Sequence, residues 1–159
     1  MDHLSPDRRS WNMSRIRSKD TTPERIVRSF LHRNGLRFRL HVKDLPGTPD
    51  IVLPKYKTVI EVRGCFWHRH KGCRFATVPT TNVEFCENKF TATVDRDKQT
   101  EWELKKLGWN IIVIWQCALK NAYRLNALNR VVELIKCSGT HVAALHEINF
   151  EDLPTSHKG

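Results

Sequence analysis

The chain has 159 residues, 40% of them hydrophobic and 28% charged, with a formal net charge of +10. These values describe one globular domain with a sizeable core and exclude a disordered chain, and the charge predicts a polyanionic partner. No apolar run approaches the ~20 residues of a membrane helix, and the polar N-terminus lacks the apolar stretch of a secretory signal.

The basic residues are concentrated in the front third of the chain. Residues 1–19, a predicted arm or short helix, contain Arg8, Arg9, Arg15, Arg17 and Lys19. Five more arginines follow before residue 40. Because the guanidinium group suits phosphate contacts, this clustering favours a phosphate-binding surface over an evenly solvated one.

The first firm helix is predicted from Thr21 to Gly35. Thr21 can cap it, and Pro23 and Glu24 suit its first turn. The remaining elements are predicted, in order, as a half-buried strand over 36–42, a turn over 45–49, a hairpin of strands 51–53 and 58–62, a mostly irregular stretch over 74–93 with a helix around 83–90, a helix over 94–107, a strand over 110–115 and a helix over 119–137 with Leu125 on its buried side. Beyond Gly139 the signals are weak.

The hairpin register brings acidic side chains together. A four-residue loop pairs Leu53 with Thr58, so Asp50 lies opposite Glu61. Opposed residues share a face with Cβ atoms ~5 Å apart, and Arg63 joins that face by the period of two. Two such carboxylates repel unless a cation intervenes, and Mg²⁺ prefers oxygen ligands. An ion pair between Arg63 and one carboxylate is the alternative.

Residues 64–73 concentrate thiols, imidazoles and aromatic rings. Cys65, His70 and Cys73 have the spacing of a compact metal knuckle, and Cys117, after a buried strand, is the best candidate for a fourth ligand. Thiolate and imidazole are the ligands that Zn²⁺ prefers in tetrahedral structural sites. The alternative is four unrelated residues, since free cysteine often only fills a core. Five cysteines without an export signal favour metal ligation over disulfides.

Several ordered motifs carry a resemblance to a known family. Pro49-Asp50 and Glu61-x-Arg63 resemble the PD-(D/E)xK nuclease motif, with arginine where lysine usually stands. The more specific motifs are Asn12-Met13, Lys19-Asp20-Thr21 with Glu24, Leu45-Pro46-Gly47-x-Pro49-Asp50, Gly64-Cys65-Phe66-Trp67-His68, Asp95-Arg96-Asp97, Leu107-Gly108-Trp109 and Trp115-x-Cys117-Ala118-Leu119. With this set the chain resembles the very-short-patch-repair (Vsr) family of DNA mismatch endonucleases over residues 8–120.

The resemblance implies an α/β, restriction-endonuclease-like fold: a PD-(D/E)xK core, a mixed central sheet flanked by helices, and a structural zinc site. It implies a basic DNA-contacting arm over 1–19, an endonuclease domain over 20–139 and a C-terminal tail over 140–159. The implied activity is a Mg²⁺-dependent nick in double-stranded DNA, 5′ to the thymine of a T:G mismatch left by deamination of 5-methylcytosine. A monomer in the bacterial cytoplasm is expected, associated with the nucleoid, a mismatch-repair matchmaker and a cytosine-5 methyltransferase.

The resemblance also assigns site residues by position. The catalytic set is Asp50, His68, Glu24 and Asp97, joined by Glu61 and Arg63 from the hairpin argument. Mg²⁺ is expected on Asp50, the backbone carbonyl of Val62 and Glu61. Structural Zn²⁺ is expected on Cys65, His70, Cys73 and Cys117. The wedge that enters the DNA stack is expected to be Phe66, Trp67, His68 and Met13.

Other interpretations stay open at this point. Glu24 equally suits a capping box with Thr21, and Asp97 equally suits an exposed helix position. A zinc-stabilised DNA-binding module without catalysis, a zinc hydrolase using His68 and His70, and a restriction-type or nonspecific nuclease cutting matched duplex each fit part of the sequence. The aromatic wedge favours a distorted or mismatched substrate.

Overall fold

A computed structural model describes residues 20–137, 143–149 and 153 of the chain. The predicted basic arm over 1–19, with Met13, lies outside the described residues. The helices and strands are, in chain order, α1 (Thr22–Arg33), β1 (Arg39–Leu40), β2 (Ile51–Leu53), β3 (Thr58–Arg63), α2 (Val83–Lys106), β4 (Asn110–Trp115), α3 (Arg124–Cys137) and β5 (Leu145–Ile148). Short 3₁₀ turns cover Pro54–Tyr56 and Gln116–Leu119.

The five strands form one mixed sheet in the order β1-β2-β3-β4-β5. The pairs β1–β2 and β2–β3 are antiparallel, whereas the pairs β3–β4 and β4–β5 are parallel. Parallel neighbours require a crossover, which α2 supplies between β3 and β4 and α3 supplies between β4 and β5. This mixed sheet with helices confirms the predicted α/β fold class. Among the described residues, every helix is too short or too polar to cross a bilayer.

Alternation along β4 builds a core on each face of the sheet. Ile112 and Ile114 join a fully buried cluster with residues of α1 and α3, including Leu31 and Ile135. Ile111, Val113 and Trp115 point to the other face, where Leu104 of α2 and the buried cysteines lie. Because both faces are covered, β4 reads as a continuous apolar run rather than an alternating one.

Three predicted helices were wrong in extent, and the structure has two helices in their place. α2 is one 24-residue helix from Val83 to Lys106 rather than two helices with an irregular stretch between them. It continues through Thr91, whose hydroxyl donates to the Glu87 carbonyl at 3.0 Å, so the side chain is satisfied within the helix. α3 begins at Arg124 because residues 116–119 form a 3₁₀ turn. Leu125, predicted to be buried, is 54% exposed in the first turn of the shortened helix.

Two strand predictions also differ from the structure. The predicted strand over 36–42 reduces to β1, because its partner β2 has three residues and His41 turns the backbone to a positive φ of 47°. β5 was not predicted. It is a four-residue edge strand in which only Ile148 is fully buried, so its sequence carries little apolar signal. It lies within residues 140–159, which the sequence assigned to a tail.

The turn before β2 is fixed by a close approach to α2. Gly47 has a φ of 73°, and a Cβ built there would lie 2.3 Å from Cγ2 of Thr100. Only glycine meets both conditions without strain, because it has no Cβ and tolerates positive φ. The contact sets the path of the chain into Asp50, three residues further on.

We expect Gly47→Ala to lower the free energy of unfolding by about 2–5 kcal/mol, the sum of ~1–2 for the left-handed backbone and ~1–3 for the clash. Gly35→Ala is the matched control, because Gly35 has the same φ of 73° and open space around it. Chemical denaturation of the two variants separates the terms. Equal losses at both positions would show that the Thr100 contact contributes nothing.

Candidate active site and metal centre

The hairpin has the register that the sequence predicted. Leu53 pairs with Thr58 and Ile51 with Ile60, which sets Asp50 opposite Glu61 just beyond the ladder. The backbone N–H of Val62 donates to Oδ2 of Asp50 at 2.9 Å. The hydrogen bond holds this carboxylate against the end of β3, where the backbone carbonyl of Val62 is also an expected Mg²⁺ ligand.

Asp50 is destabilised in its charged form. Burial raises its pKa to about 7 from an ordinary 3.8, and the neighbouring carboxylates of Glu24 and Glu61 add to the rise, against the hydrogen bond from Val62. Burial also raises the pKa of Glu24 and of Glu61. A buried carboxylate crowded by two others is the environment that a divalent cation relieves. The residues present therefore fit a hard cation at Asp50.

Arg63 is the hub of a second acidic group. Its guanidinium lies 2.6 Å from Glu61, 2.9 Å from Glu101 and 3.8 Å from Asp97, and its side chain is only 5% exposed. The ion pair between Arg63 and one carboxylate, which the sequence left open as an alternative, is therefore present between Arg63 and Glu61. Glu101 was not predicted, although its place one turn after Asp97 on α2 puts both on one helix face.

His68 contacts the same acidic group from the loop side. Its Nδ1 lies 2.6 Å from Oδ2 of Asp97, and its side chain is 29% exposed. Donation from Nδ1 to the carboxylate leaves Nε2 as the nitrogen that can accept a proton. The structure therefore brings His68 and Asp97 together, as the family resemblance implied, while their roles stay a prediction.

Glu24 serves as a helix cap and also faces the site. Its N–H donates to Oγ1 of Thr21 at 3.4 Å, and its carboxylate accepts from the N–H of Asp20 at 3.1 Å. The same carboxylate lies 3.7 Å from Nε2 of His41, whose Nδ1 lies 4.0 Å from Asp50. His41 was not predicted as a site residue, because the sequence placed it in a strand. Its left-handed backbone and buried Nε2, which lacks a hydrogen bond within the described residues, mark it as a member of the site.

Four predicted zinc ligands meet in one buried cluster. The ligand atoms of Cys65, His70, Cys73 and Cys117 all lie within 4.8 Å of one another. Sγ of Cys117 is 3.4 Å from Nδ1 of His70, close to the ~3.3–3.8 Å that tetrahedral Zn²⁺ imposes between its ligands. The hydrogen bond with Cys117 and then burial raise the pKa of the Cys65 thiol. A cation would favour the thiolate, so this donor set fits zinc.

The His70 ring is held on three sides. Nδ1 faces the thiols, Nε2 lies 2.6 Å from Oδ1 of Asn149, and the ring stacks on Trp115 at 4.1 Å with an interplanar angle of 6°. A cavity of about 330 Å³ runs from this ring to His68 and is lined by both histidines. Asn149 was not predicted, because it follows the strand that the sequence missed.

The expected wedge rings pack against α2. Phe66 and Trp67 meet edge to face at 4.9 Å, and both contact Phe90, at 5.1 and 5.4 Å. Lys89 lies over the Trp67 ring at 4.2 Å and Arg69 over Phe90 at the same distance. Both wedge rings are half-buried, so the loop presents aromatic surface ringed by cations.

Comparisons with known proteins place the chain in a family. The family described as DNA mismatch endonuclease Vsr matches residues 1–74. The chain is 49% identical over 126 residues to the type II nicking enzyme V.XorIIP of Xanthomonas oryzae pv. oryzae, covering 79% of this chain and 92% of that protein. It is 45% identical over 136 residues to V.NmeAIP of Neisseria meningitidis, covering 85% and 96%. It is 41% identical over 117 residues to the DNA mismatch endonuclease Vsr of Escherichia coli, covering 74% of each chain.

The chain belongs to the Vsr family. The predicted enzyme class, a DNA endonuclease, is thereby confirmed, and DNA is its partner. The comparisons leave the individual site residues as predictions.

The raised pKa of Asp50 predicts a pH-dependent stability in the absence of added divalent ions. The folded protein holds the Asp50 proton up to about pH 7, whereas the unfolded chain releases it near pH 3.8. Asp50 therefore does not lower the free energy of unfolding below about pH 4. As the pH rises from there to 7, that free energy falls by up to ~1.4 kcal/mol per pH unit.

We expect Asp50→Asn to match wild type near pH 4 and to exceed its free energy of unfolding increasingly up to pH 7, because the amide cannot ionise. Urea unfolding at several pH values measures this difference. Asp44→Asn, which removes an exposed carboxylate from the preceding turn, is the matched control for the loss of a charge in this segment. A constant difference for Asp50→Asn would mean that Asp50 titrates normally.

Proposed function

We propose that this Vsr-family endonuclease nicks double-stranded DNA 5′ to the thymine of a T:G mismatch and requires Mg²⁺. The observation that carries the proposal is the loop after β3. One turn of chain sets His68 against Asp97 and, directly beside it, Phe66 and Trp67 in a half-buried aromatic pair. A proton-transfer group next to rings that can enter a base stack suits cleavage at a distorted pair. The relatives named as mismatch and nicking enzymes support the same activity.

Asp50 and the Val62 carbonyl are the proposed ligands of the catalytic Mg²⁺. A cation bound there supplies charge that stabilises the phosphate and the departing 3′-oxygen. Oε2 of Glu61 accepts the hydrogen bond from Arg63, so we assign Glu61 a place beside the metal, with Oε1 as the oxygen that would contact it. Glu24 faces Asp50 across His41 and orients water on that side.

His68 is the proposed general base or phosphate-orienting group. Asp97 holds its Nδ1–H, which directs Nε2 outward and stabilises a proton taken there. Arg63 keeps Asp97, Glu61 and Glu101 in place and lowers the repulsion that a DNA phosphate meets on arrival. Its positive charge therefore acts through the carboxylates that it contacts.

Zn²⁺ is proposed to be structural. Cys65, His70, Cys73 and Cys117 would fill a tetrahedral shell and leave no open position for chemistry. The metal then fixes the loop that carries His68 and the wedge, which argues against the zinc hydrolase interpretation.

The proposed substrate complex extends beyond the described residues. Met13 is expected to join the wedge, and the basic arm over 1–19 is expected to contact DNA phosphates. We propose a monomer acting in the bacterial cytoplasm at the nucleoid, alongside a cytosine-5 methyltransferase and a mismatch-repair matchmaker. The methyltransferase creates the deamination-prone base, and the family resemblance supports both partners.

A nicking assay on otherwise identical T:G and matched duplexes tests the proposed activity. With Mg²⁺ we expect wild type to nick the T:G strand, and Asp50→Ala to lose nicking while still binding DNA. Asp44→Ala, which removes an exposed carboxylate from the same segment, should nick normally. Mg²⁺-dependent nicking by Asp50→Ala would refute the metal assignment. Binding without nicking by wild type would favour a non-catalytic module.

The wedge is expected to confer mismatch preference. Separating stacked bases costs a few kcal/mol and costs least at a weakened pair. Trp67→Ala should therefore reduce the ratio of T:G to matched nicking more than it reduces nonspecific binding, which depends on phosphate contacts. Trp102→Ala is the matched control, since Trp102 is 57% exposed on α2 without a contact to the wedge rings among the described residues.

The affinities for the matched and the T:G duplexes should be measured at one fixed salt concentration. If wild type binds and nicks matched and T:G duplexes equally, the mismatch proposal is wrong and a restriction-type nuclease becomes the better interpretation.

A further inference from the structure

The C-terminal strand reaches the metal cluster through one side chain. β5 pairs with β4 in parallel, with Ile111 opposite Leu145 and Ile114 opposite Ile148. The next residue on each strand is Trp115 on β4 and Asn149 after β5. This register puts the Asn149 side chain beside the ring that stacks on His70.

The contact between Asn149 and His70 is short and sheltered. Oδ1 of Asn149 lies 2.6 Å from Nε2 of His70, a residue that is only 7% exposed. An amide oxygen accepts and cannot donate, so the proton of the neutral ring resides on Nε2. Nδ1 is then the nitrogen with the lone pair, and it is the one that lies 3.4 Å from Cys117 Sγ. The hydrogen bond selects the tautomer that metal binding needs.

We infer that Asn149 is a positioning residue for the zinc centre, accepting the His70 Nε2–H and thereby tying β5 to the loop that carries the wedge. The inference rests on the proposed structural zinc. Partners that hold the second nitrogen of a ligand histidine fix its orientation and raise its basicity, and their loss typically costs 10–100-fold in metal affinity. Trp115 contributes a flat surface for the ring, whereas Asn149 fixes rotation of the ring about the Cβ–Cγ bond.

β5 has few other anchors, so the link acts in both directions. Its ladder covers four residue pairs at the sheet edge, and the preceding Ala144 N–H donates to Oδ1 of Asn110 at 3.1 Å. Of its residues only Ile148 is fully buried. Zinc binding at His70 therefore stabilises the seating of β5, and β5 in turn slows zinc loss from the wedge loop.

The test is the rate of zinc release from the full chain to an excess of a colorimetric chelator. Asn149→Leu keeps the side-chain size but removes the acceptor, and we expect release to be about 10–100-fold faster than in wild type. Asn149→Asp restores an oxygen acceptor and should return the rate toward the wild-type value. His146→Leu, at an exposed position of the same strand, controls for disturbance of β5 and should leave the rate unchanged.

A spectroscopic measurement on wild type avoids dependence on variants that fail to fold. Nitrogen-15 NMR of the zinc-loaded protein should show His70 protonated at Nε2, with slow exchange of that proton with water. Release from Asn149→Leu at the His146→Leu rate, or a rapidly exchanging Nε2 proton in wild type, would overturn the inference. Absence of zinc from purified wild type would instead overturn the structural zinc of the proposed function.

Discussion

Repulsion among buried carboxylates is the constraint around which this site is built. Asp50, Glu24, Glu61, Asp97 and Glu101 all lie near one end of the sheet, and burial raises the pKa of the first three. One fixed cation, Arg63, offsets the group on the α2 side through contacts with three of them. Within the described part of the chain, the cationic group within 4.0 Å of both Asp50 and Glu24 is His41, while Arg28 acts on Glu24 and His68 on Asp50 from further away. The excess negative charge therefore lies at Asp50 and Glu24, where a metal is proposed. Arg63 offsets the negative charge of the other three carboxylates.

The loop after β3 needs a different source of order. Residues 64–82 contain no helix or strand, so their backbone groups find partners in turns and in side chains such as Arg69, which donates to three carbonyls. Few apolar side chains from this loop reach the core, and the buried ones are mainly the cysteines. The proposed zinc, shared among four ligands, would replace the apolar packing that such a segment lacks. Cys117 follows β4 and Asn149 follows β5, so the residues that anchor this loop come from segments far along the chain.

Local patterns predicted the parts of the site that depend on neighbouring residues. The Asp50–Glu61 register followed from counting across a four-residue loop, and the helix start at Thr21 followed from capping chemistry. Glu101, His41 and Asn149 were missed because each joins the site through a tertiary contact. Glu101 joins through its contact with Arg63 of β3, His41 needed a left-handed turn that a β-like alternation concealed, and Asn149 needed an edge strand with little apolar signal. The fold class came from the family resemblance, whereas β4, buried on both faces, was recognisable by itself as a clear apolar run.

His68 joins the two halves of this structure. Its backbone belongs to the loop that the proposed zinc would hold, two residues after Phe66, whereas its ring is held by a carboxylate of α2. Phe66 and Trp67 also rest on α2, through Phe90, which lies two turns before Asp97 on the same helix face. If the rings leave Phe90 to enter a base stack, the segment that carries His68 must move with them, because the backbone between them is short. The proposed proton transfer at His68 would then be mechanically coupled to insertion of the wedge, which would let the enzyme delay chemistry until a base pair has opened. A weakened pair opens at the least cost, so this coupling would turn a difference in base stacking into a difference in cleavage rate.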